Sequence, residues 1–455
     1  MNRRRWVTLN ISIGVYMSTL DASIVNISLP TIVQSLNTHL TAVAWVVMSY
    51  LIVITGCLLV MGRLSDLFGQ RKIYLLGFLT FTIGSALCGF SPTIYFLIGS
   101  RMLQGLGASA LMVNGPAILT TAYPEEERGK ALGIVGSVVS AGFLTGPILG
   151  GFLVEHLGWR SIFFINLPIG AIGIYLSLKV LEKVRPITKV SVDLLGALLL
   201  FFFVTSLLLF INRMAQGPTP LLWVWLFFSL FWFSLFIMIE LRSSSPLVDL
   251  HFFKRRLFIS SLGASFLSFW MSAAHTFVMP FFLQNILEFS PSKVGMLIFP
   301  VALTVMVMAP FGGRFADRVG VRIPATVGLI LTSLTVFSFT LLKPGVSDFE
   351  ILWRQIVLGL GISLFNPANN SAIIGSLPRE KVGLASSFLA LSRNLGMVIG
   401  VAFAEMVIAL RHPVIPLERA AASISLKSIQ DVWKLILIIG ITAILISWTR
   451  ESQPR

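Results

Sequence analysis

The chain has 455 residues, of which 56% are hydrophobic and only 12% are charged, and its mean hydropathy is +0.89. A soluble protein carries about 25% charged residues, so this composition excludes an ordinary soluble domain. Runs of roughly 20 apolar residues recur along the chain, and each is long enough to cross a bilayer core of about 30 Å. A transmembrane β-barrel would instead show alternating segments of about ten residues. The sequence therefore predicts an all-α integral membrane protein.

The apolar runs predict about fourteen transmembrane helices, arranged as two sets of six with two more between them. They lie near residues 6–33, 43–61, 73–90, 94–120, 131–154, 162–181, 194–211, 221–241, 257–283, 294–312, 323–342, 351–374, 383–408 and 432–447. We expect an N-terminal six-helix bundle over 1–182 and a C-terminal six-helix bundle over 257–455. The linker between them, 183–256, carries the two additional helices.

A short charged motif occurs twice, after the second predicted helix of each half. Both copies read Gly-Arg-x-x-Asp-x-x-Gly-x-Arg, and internal repetition of this kind indicates two related halves. The residues are Gly62, Arg63, Asp66, Gly69, Arg71 and Lys72 in the first copy, and Gly313, Arg314, Asp317, Gly320 and Arg322 in the second. Charge contacts at these connections could hold one side of the protein closed, so we interpret them as gating loops. A role in topology and solubility alone is the alternative.

The formal net charge of +15 comes from 34 basic and 19 acidic residues. Such an excess could indicate nucleic-acid binding, but most Lys and Arg residues fall in connections on one side of the predicted helices. The positive-inside rule places that side, and with it both chain termini, in the cytoplasm. We therefore expect a multi-pass protein of a bacterial inner (plasma) membrane that has no nucleic-acid partner.

Other classes of function find little support in the sequence. It contains no Gly-x-x-x-x-Gly-Lys-Ser/Thr phosphate loop and no connection long enough for an ATP-binding module, which argues against ATP-driven transport. Cys57 and Cys88 both lie within apolar runs and imply neither a disulfide framework nor a metal cluster. The predicted helices hold no catalytic dyad and no metal-ligand spacing. We expect a protein that is not an enzyme and needs no cofactor or metal.

Asp21 lies near the middle of the first predicted helix. An acid at that depth is costly in a bilayer, so intramembrane carboxyl groups usually face a cavity and serve a transport pathway. We interpret Asp21 as a proton-coupling residue; a structural acid that hydrogen-bonds neighbouring helices is the alternative. A transport-inactive sensor built on the same fold would be expected to lack this acid.

Three further residues are candidates for proton coupling. Arg101 lies about seven residues into the fourth predicted helix, where a permanent charge needs a carboxylate, backbone carbonyls or water as a partner. Snorkelling of its side chain towards the membrane surface is the alternative. His275 in the ninth helix and Glu405 in the thirteenth are weaker candidates: the first could be a structural histidine and the second an interfacial acid.

The fifth predicted helix carries closely spaced glycines and a proline, which allow neighbouring helices to approach and bend the helix. These residues are Gly142, Gly146, Pro147, Gly150 and Gly151. Other polar and aromatic side chains within the predicted helices could line a substrate cavity, although helix packing is the alternative for each. The cavity candidates are Asn26, Gln104, Trp270, Asn366, Asn370 and Asn394.

Several of these motifs resemble those of a known family. The stretch 62–72 resembles the signature loop of the major facilitator superfamily, and 20–30 (Leu-Asp-x-x-Ile-Val-Asn-x-x-Leu-Pro) resembles the first-helix motif of its fourteen-span drug:proton antiporter branch, the EmrB/QacA type. The stretches 101–107 and 142–151 are similar to the fourth- and fifth-helix motifs of that branch. The connection at 159–170 is similar to the one between its fifth and sixth helices.

The resemblance implies antiport, in which protons enter as a small lipophilic or cationic substrate leaves, by alternating access to a cavity between two bundles. By motif position, Asp21 and Arg101 would carry the proton coupling. The partners implied are the substrate, protons and the lipid bilayer, for a chain that we expect to be monomeric. The connection at 411–431 is shorter than the outer hairpin of some members, which argues against an adaptor or outer-membrane partner. Export of an endogenous metabolite or siderophore is the alternative function.

Overall fold

The computed structural model describes residues 3–182, 194–214, 219–242, 255–377, 382–411 and 425–450. These residues are helical almost throughout, and no strand occurs among them. The helices are α1 (Arg3–Ser35), α2 (Leu40–Phe68), α3 (Gln70–Gly89), α4 (Ile94–Ala122), α5 (Glu125–Leu157), α6 (Ser161–Phe164), α7 (Asn166–Val180), α8 (Leu194–Met214), α9 (Pro220–Arg242), α10 (Arg256–Phe281), α11 (Pro291–Val319), α12 (Arg322–Thr340), α13 (Asp348–Gly375), α14 (Val382–Arg411) and α15 (Leu426–Trp448). A π-helical turn at Phe282–Ile286 extends α10.

Twelve helical segments in the described part of the chain are long and apolar enough to cross a membrane. The prediction of an all-α membrane fold is therefore confirmed. Helix α1 is not among the twelve, although it has 33 residues, and it carries the polar residues Asn10, Asp21 and Asn26. Helix α8 contributes only a shorter apolar stretch, Leu198–Ile211. The count of fourteen spans stays a prediction.

Local sequence signals define several helix ends. A hydroxyl group accepts a hydrogen bond from a backbone N–H of the first turn at Thr93 before α4, Ser290 before α11, Ser347 before α13 and Ser425 before α15. Ser, Thr, Asn and Asp are favoured at this position because their side chains satisfy an N–H that has no partner within the helix. Short polar connections therefore suffice to separate these long apolar helices.

The repeated charged motif differs from the predicted loop, because helix extends through most of it. Helix α2 continues to Phe68 and α3 begins at Gln70, so Gly69 alone lies between them. Its φ of 93° is a conformation that glycine adopts without steric cost. In the second copy Gly320 has a φ of 85° and ends α11. The motif residues before each of these glycines therefore lie on the ends of α2 and α11.

The described residues form two compact units, and the first consists of Met1–Thr38, Ala42–Phe210 and Trp223–Val248. Within it α1 packs against α4, α5 and α7, while α3 packs along α4 and α7. Closely approaching backbones join these helices, for example where Gly84 of α3 faces the backbone of Gln104 on α4. Small residues permit this approach between membrane helices. The central position of α1 brings its polar residues into the interior of the unit.

The second unit consists of His39–Thr41, Ile211–Leu222 and Asp249–Arg455. Here α10 packs against α13, α14 and α15, and α13 packs against α11 and α12. Part of its core is a cluster of mostly small side chains, formed by Ala264, Ala316, Ala325, Leu329, Phe365, Ala368 and Ala443. The predicted division into bundles over 1–182 and 257–455 with a linker over 183–256 stays a prediction.

Two glycines of α4 provide a matched test of the close packing in the first unit. A methyl group at Gly107 would overlap the backbone N of Phe81 and lie 2.7 Å from the carbonyl oxygen of Gly77, whereas at Gly99 it would meet no heavy atom within 4 Å. We expect Gly107→Ala to lower the free energy of unfolding by about 1–3 kcal/mol. Gly99→Ala should be neutral or slightly stabilising. Thermal unfolding of the purified variants checks this, and equal effects would contradict the packing argument.

Candidate functional site

A buried ion pair joins α1 to α4 in the first unit. The Arg101 Nη1 atom donates to the Asp21 Oδ2 atom at 2.5 Å, and the two residues are 1% and 0% exposed, respectively. Both were predicted as proton-coupling residues, and they lie in direct contact. The alternative in which Arg101 snorkels to the membrane surface does not fit this burial and pairing.

Three neutral polar residues surround the Asp21 carboxylate. Gln104 Nε2 and Asn166 Nδ2 donate to its Oδ1 atom at 2.8 and 3.1 Å, and both also donate to the Ser85 hydroxyl, at 3.2 and 2.9 Å. The Oε1 atom of Gln104 accepts a further hydrogen bond from Arg101 at 2.6 Å. Helices α1, α3, α4 and α7 therefore meet at one buried network, which we call the Asp21 network.

Arg101 is held on its other side by the backbone and by aromatic rings. Its Nε atom donates to the Val46 carbonyl oxygen of α2 at 3.1 Å. The guanidinium group lies 4.0 Å from the centre of the Tyr50 ring and 5.9 Å from that of Phe163. A planar cation is well suited to donate along its edge while its face rests on an aromatic ring.

The donors around Asp21 define its chemistry in this conformation. Arg101, Gln104 and Asn166 all present N–H groups to the carboxylate, and an ionised carboxylate can only accept hydrogen bonds. Removing two charges from water costs several kcal/mol per ion, which is recovered only when geometry and additional hydrogen bonds are good. The arrangement therefore suits an ionised carboxylate, which can accept all three hydrogen bonds and pair with the Arg101 cation.

His275 and Glu405 lie in the second unit and take no part in the Asp21 network. The His275 ring is buried on α10 against the rings of Phe339 and Trp433, at centroid distances of 4.9 and 6.5 Å. Glu405 of α14 is fully buried and accepts a hydrogen bond from Thr41, which belongs to the same unit, at 2.5 Å. The interfacial alternative for Glu405 does not fit this burial.

The predicted cavity residues do not form a single lining. Gln104 belongs to the Asp21 network, and Asn26 is half-buried and donates to the Ala22 carbonyl of its own helix. In the second unit, Trp270 packs between Phe266 and Phe403 with centroid distances of 5.8 and 4.8 Å. Asn366 and Asn370 are half-buried on α13, and Asn394 is buried on α14.

The described side chains of the charged motifs lie near the helix ends. Arg71 donates to the Leu178 carbonyl of α7 at 2.7 Å, and Lys72 is exposed. Arg314 and Asp317 are both exposed on α11. The side chains of Arg63 and Asp66 lie outside the described residues, so the ion pairs proposed for them stay a prediction. Gly62 lies on α2, where a methyl group would come within 3.2 Å of Val113.

The glycine and proline motif of α5 packs along α1. A methyl group at Gly142 or Gly146 would overlap the hydroxyl of Thr19 or Ser23, and at Gly150 it would come within 2.7 Å of the Ile24 side chain. These α1 residues flank Asp21 in sequence. Gly151 follows on the same helix, and α5 runs through Pro147 without a break. A movement of α5 would therefore displace the segment of α1 that carries Asp21, because the two helices are in close contact there.

Three partners of the charged pair were not predicted from the sequence: Ser85, Asn166 and Tyr50. Asn166 lies within a motif whose resemblance was noted, and it is an isolated amide in an apolar helix, so its polarity could have marked it. Ser85 and Tyr50 carry no comparable signal, because hydroxyl groups are common in membrane helices, where they bond to their own backbone. Only the three-dimensional arrangement brings them together.

A charged network buried among membrane helices is typical of a functional site, such as a substrate or ion pathway. The chain belongs to the major facilitator superfamily, whose sequence model matches residues 11–401 and 261–454. It is 37% identical to the riboflavin transporter RibZ of Clostridioides difficile (strain 630) over 408 residues, which cover 88% of each chain. It is 33% identical to the multidrug resistance protein Stp of Mycobacterium tuberculosis (strain CDC 1551 / Oshkosh), over 90% of this chain and 77% of that protein.

The fold is also similar to solved structures of transporters. A bacterial homologue of the human lysosomal transporter Spinster, in its inward-facing and unoccupied conformation, matches over all of both chains with a TM-score of 0.70 and 17% identity. At that identity the likeness supports the fold alone. The chain is therefore a multi-pass transporter of small molecules, as its family indicates.

Proposed function

We propose that the chain is a proton-coupled exporter of small lipophilic or cationic compounds that works by alternating access, in the fourteen-span drug:proton antiporter branch. The observation that carries this proposal is the fully buried Asp21–Arg101 pair. Relatives named as multidrug resistance proteins, such as Stp at 33% identity, support the substrate class. The motif resemblance supports the branch.

The Asp21 network supports a specific coupling mechanism. The carboxylate accepts three N–H groups, one of them from the Arg101 cation, so a proton on Asp21 would remove the attraction between opposite charges that joins α1 to α4. Arg101 and Gln104 are on α4 and Asn166 is on α7, so weaker contacts at Asp21 would favour movement of α1 relative to those helices. A proton would then bind one arrangement of these helices better than the other and shift the protein towards it, which is the requirement for coupling.

The remaining predicted residues fit supporting roles in this mechanism. The glycines of α5 that contact α1 let the two helices shift together, and Pro147 favours bending. The charged motifs at the ends of α2 and α11 act as gates. His275 and Glu405 are second-unit candidates for proton handling. Asn26, Trp270, Asn366, Asn370 and Asn394 are the candidates for substrate contact.

We further propose that the protein is a monomer in a bacterial inner membrane with both termini in the cytoplasm. The support is the uneven distribution of Lys and Arg between the two sides of the predicted helices. No adaptor is needed for transport across a single membrane, and the short 411–431 connection agrees with this.

The test is transport by the purified protein in liposomes that carry an imposed pH gradient. Ethidium movement and internal pH are followed together, with empty liposomes as the control. We expect ethidium to move against its gradient at a rate that depends on the pH difference, and the pH difference to collapse faster when ethidium is present. Ethidium movement that is indifferent to the pH gradient would contradict proton coupling.

Transport of a flavin is the second candidate function. Its support is the 37% identity to the riboflavin transporter RibZ over 88% of both chains. Exchange of riboflavin across the same liposomes, competed with excess ethidium, distinguishes the candidates. Riboflavin exchange that ethidium does not inhibit would favour a dedicated flavin transporter.

A further inference from the structure

The second unit contains a small pocket that lies outside the Asp21 network. It lies between α10, α11 and α13 and has a volume of about 70 Å³. His275 and Gln355 line it together with apolar side chains such as Ile298 and Leu358. Thr276, which is exposed, also lines it, so the pocket is not sealed within the unit.

Two of the side chains at this pocket have polar atoms without partners in the described part of the chain. Both ring nitrogens of His275 and both amide atoms of Gln355 are buried without a hydrogen bond. The two side chains lie close enough to interact, but their atoms do not meet hydrogen-bond geometry. His275 is 5% exposed and Gln355 is 0% exposed. Buried polar groups are nearly always satisfied, so four unsatisfied atoms at one cavity indicate an occupant that satisfies them.

The volume limits what the occupant can be. A water molecule needs about 10–15 Å³ of such space, so the pocket holds a few waters or one polar group of several atoms. It is much smaller than the roughly 300–1,000 Å³ of a site that encloses a whole ligand. The pocket could therefore receive the end of a larger compound that enters past Thr276.

The chemistry of the two side chains limits the occupant further. Gln355 offers an amide N–H and a carbonyl oxygen side by side, and a neutral imidazole offers one donor and one acceptor. No acidic, Lys or Arg side chain is among the described residues that line the pocket, so nothing there would neutralise a charged group. A neutral group with an adjacent donor and acceptor, such as a carboxamide or a cyclic imide, matches this pair.

The position of the pocket in its half supports a role in transport. His275 is on α10 and Gln355 is on α13, which correspond to the first and fourth helices of the second repeat, as α1 and α4 do in the first. In the first unit this place holds the charged Asp21 network, whose carboxylate and guanidinium satisfy each other. In the second unit the corresponding place is lined by His275 and Gln355, whose buried polar atoms have no hydrogen-bond partner among the described residues.

We infer that the His275–Gln355 pocket is a subsite that hydrogen-bonds a neutral imide or amide group of the transported compound. The inference rests on the proposed transport of small lipophilic compounds and adds that compounds carrying such a group bind more tightly than those without it. Gln355 provides the paired donor and acceptor, and His275 provides the second contact while its ring stays packed on Phe339 and Trp433. The alternative is that the pocket holds only ordered water molecules and does not contact the transported compound.

The test is equilibrium binding to the purified full chain without any pH gradient. The probes are riboflavin, whose ring has an imide N–H, its N3-methylated form, which lacks that donor, and ethidium, which has no imide. We expect the wild type to bind riboflavin at least about tenfold more tightly than the methylated form, because a site built to hydrogen-bond an N–H rejects an analogue without it. Gln355→Leu and His275→Phe should each bring that ratio towards one while ethidium binding stays unchanged.

The controls separate recognition from folding and from proton coupling. Gln430→Leu removes an amide of the same unit that donates to the Leu342 carbonyl, outside the pocket, and should keep the wild-type ratio. Gln355→Leu should not lower thermal stability, since it removes two unsatisfied polar atoms. A wild-type ratio of one, or an unchanged ratio in both pocket variants, would overturn the subsite and indicate water only. Because no gradient is used, failure of proton-driven transport would leave this result intact.

Discussion

Asp21→Asn is expected to abolish transport of ethidium driven by a pH gradient while leaving downhill exchange of ethidium measurable. Asparagine has nearly the same shape as aspartate but cannot gain or lose a proton, so proton binding can no longer switch the contact with Arg101 on and off. The change in internal pH that ethidium causes in wild-type liposomes should also be absent in the variant. The measurement is simultaneous recording of ethidium and internal pH in liposomes with and without the imposed gradient.

The matched control for this change is Asp431→Asn. Asp431 is on α15 in the other unit and pairs with Arg411 and Lys434, so the same chemical change is made outside the Asp21 network. This variant should keep wild-type coupling. If Asp21→Asn still pumps at the wild-type rate, Asp21 is not the coupling residue. Loss of both gradient-driven transport and exchange would instead indicate a structural role.

The sequence predicted the fold well because its signals are local and repeated. Long apolar runs mark membrane helices, and the doubled charged motif marks two related halves. Helix ends were predicted less accurately. The predicted second helix stops at 61, whereas α2 continues to Phe68, since no helix-breaking residue ends it before Gly69. Charged residues at a helix end resemble a loop in composition, yet they extend the helix beyond its apolar part.

The candidate site was predicted residue by residue but not as a network. Asp21 and Arg101 were each identified because a charge in a membrane helix is costly. Their mutual contact spans 80 residues of sequence, and no local pattern specifies which of several partners a buried arginine takes. Gln104 was assigned to a substrate cavity, since a buried amide that binds substrate and one that supports an ion pair look alike in sequence.

The repeat also suggests a symmetry that the polar residues do not follow. Arg354 takes the place of Arg101 in the second half, but its Nη1 atom contacts Glu350 of its own helix, at 3.4 Å from Oε2 and 2.6 Å from the backbone oxygen. Glu350 is half-exposed, whereas Asp21 is fully buried. Related halves thus share helices and hinges while their interiors differ, which agrees with proton coupling in one and substrate recognition in the other.

This contrast predicts unequal costs for removing the two arginines. Arg101→Leu leaves the buried Asp21 carboxylate without its cation and should lower the free energy of unfolding by about 3–5 kcal/mol. Arg354→Leu removes a pair whose acid is half-exposed, so the expected loss from that ion pair is about 1 kcal/mol or less. Chemical unfolding of the two variants in the same detergent micelles measures the difference. Equal losses would contradict the larger stabilisation that we assign to the Asp21–Arg101 contact.

A double variant separates the ion pair from the packing of the arginine itself. If the loss in Arg101→Leu arises from an uncompensated carboxylate, adding Asp21→Asn should recover part of it, because the neutral amide leaves no buried charge without a partner. The double variant should then be more stable than the sum of the single losses predicts by about 1–3 kcal/mol. Additive losses would show that Arg101 stabilises the unit through its contacts with Tyr50, Phe163 and the Val46 carbonyl. In that case the interaction free energy between Asp21 and Arg101 would be too small to make helix movement depend on protonation. The coupling mechanism would then need another acid.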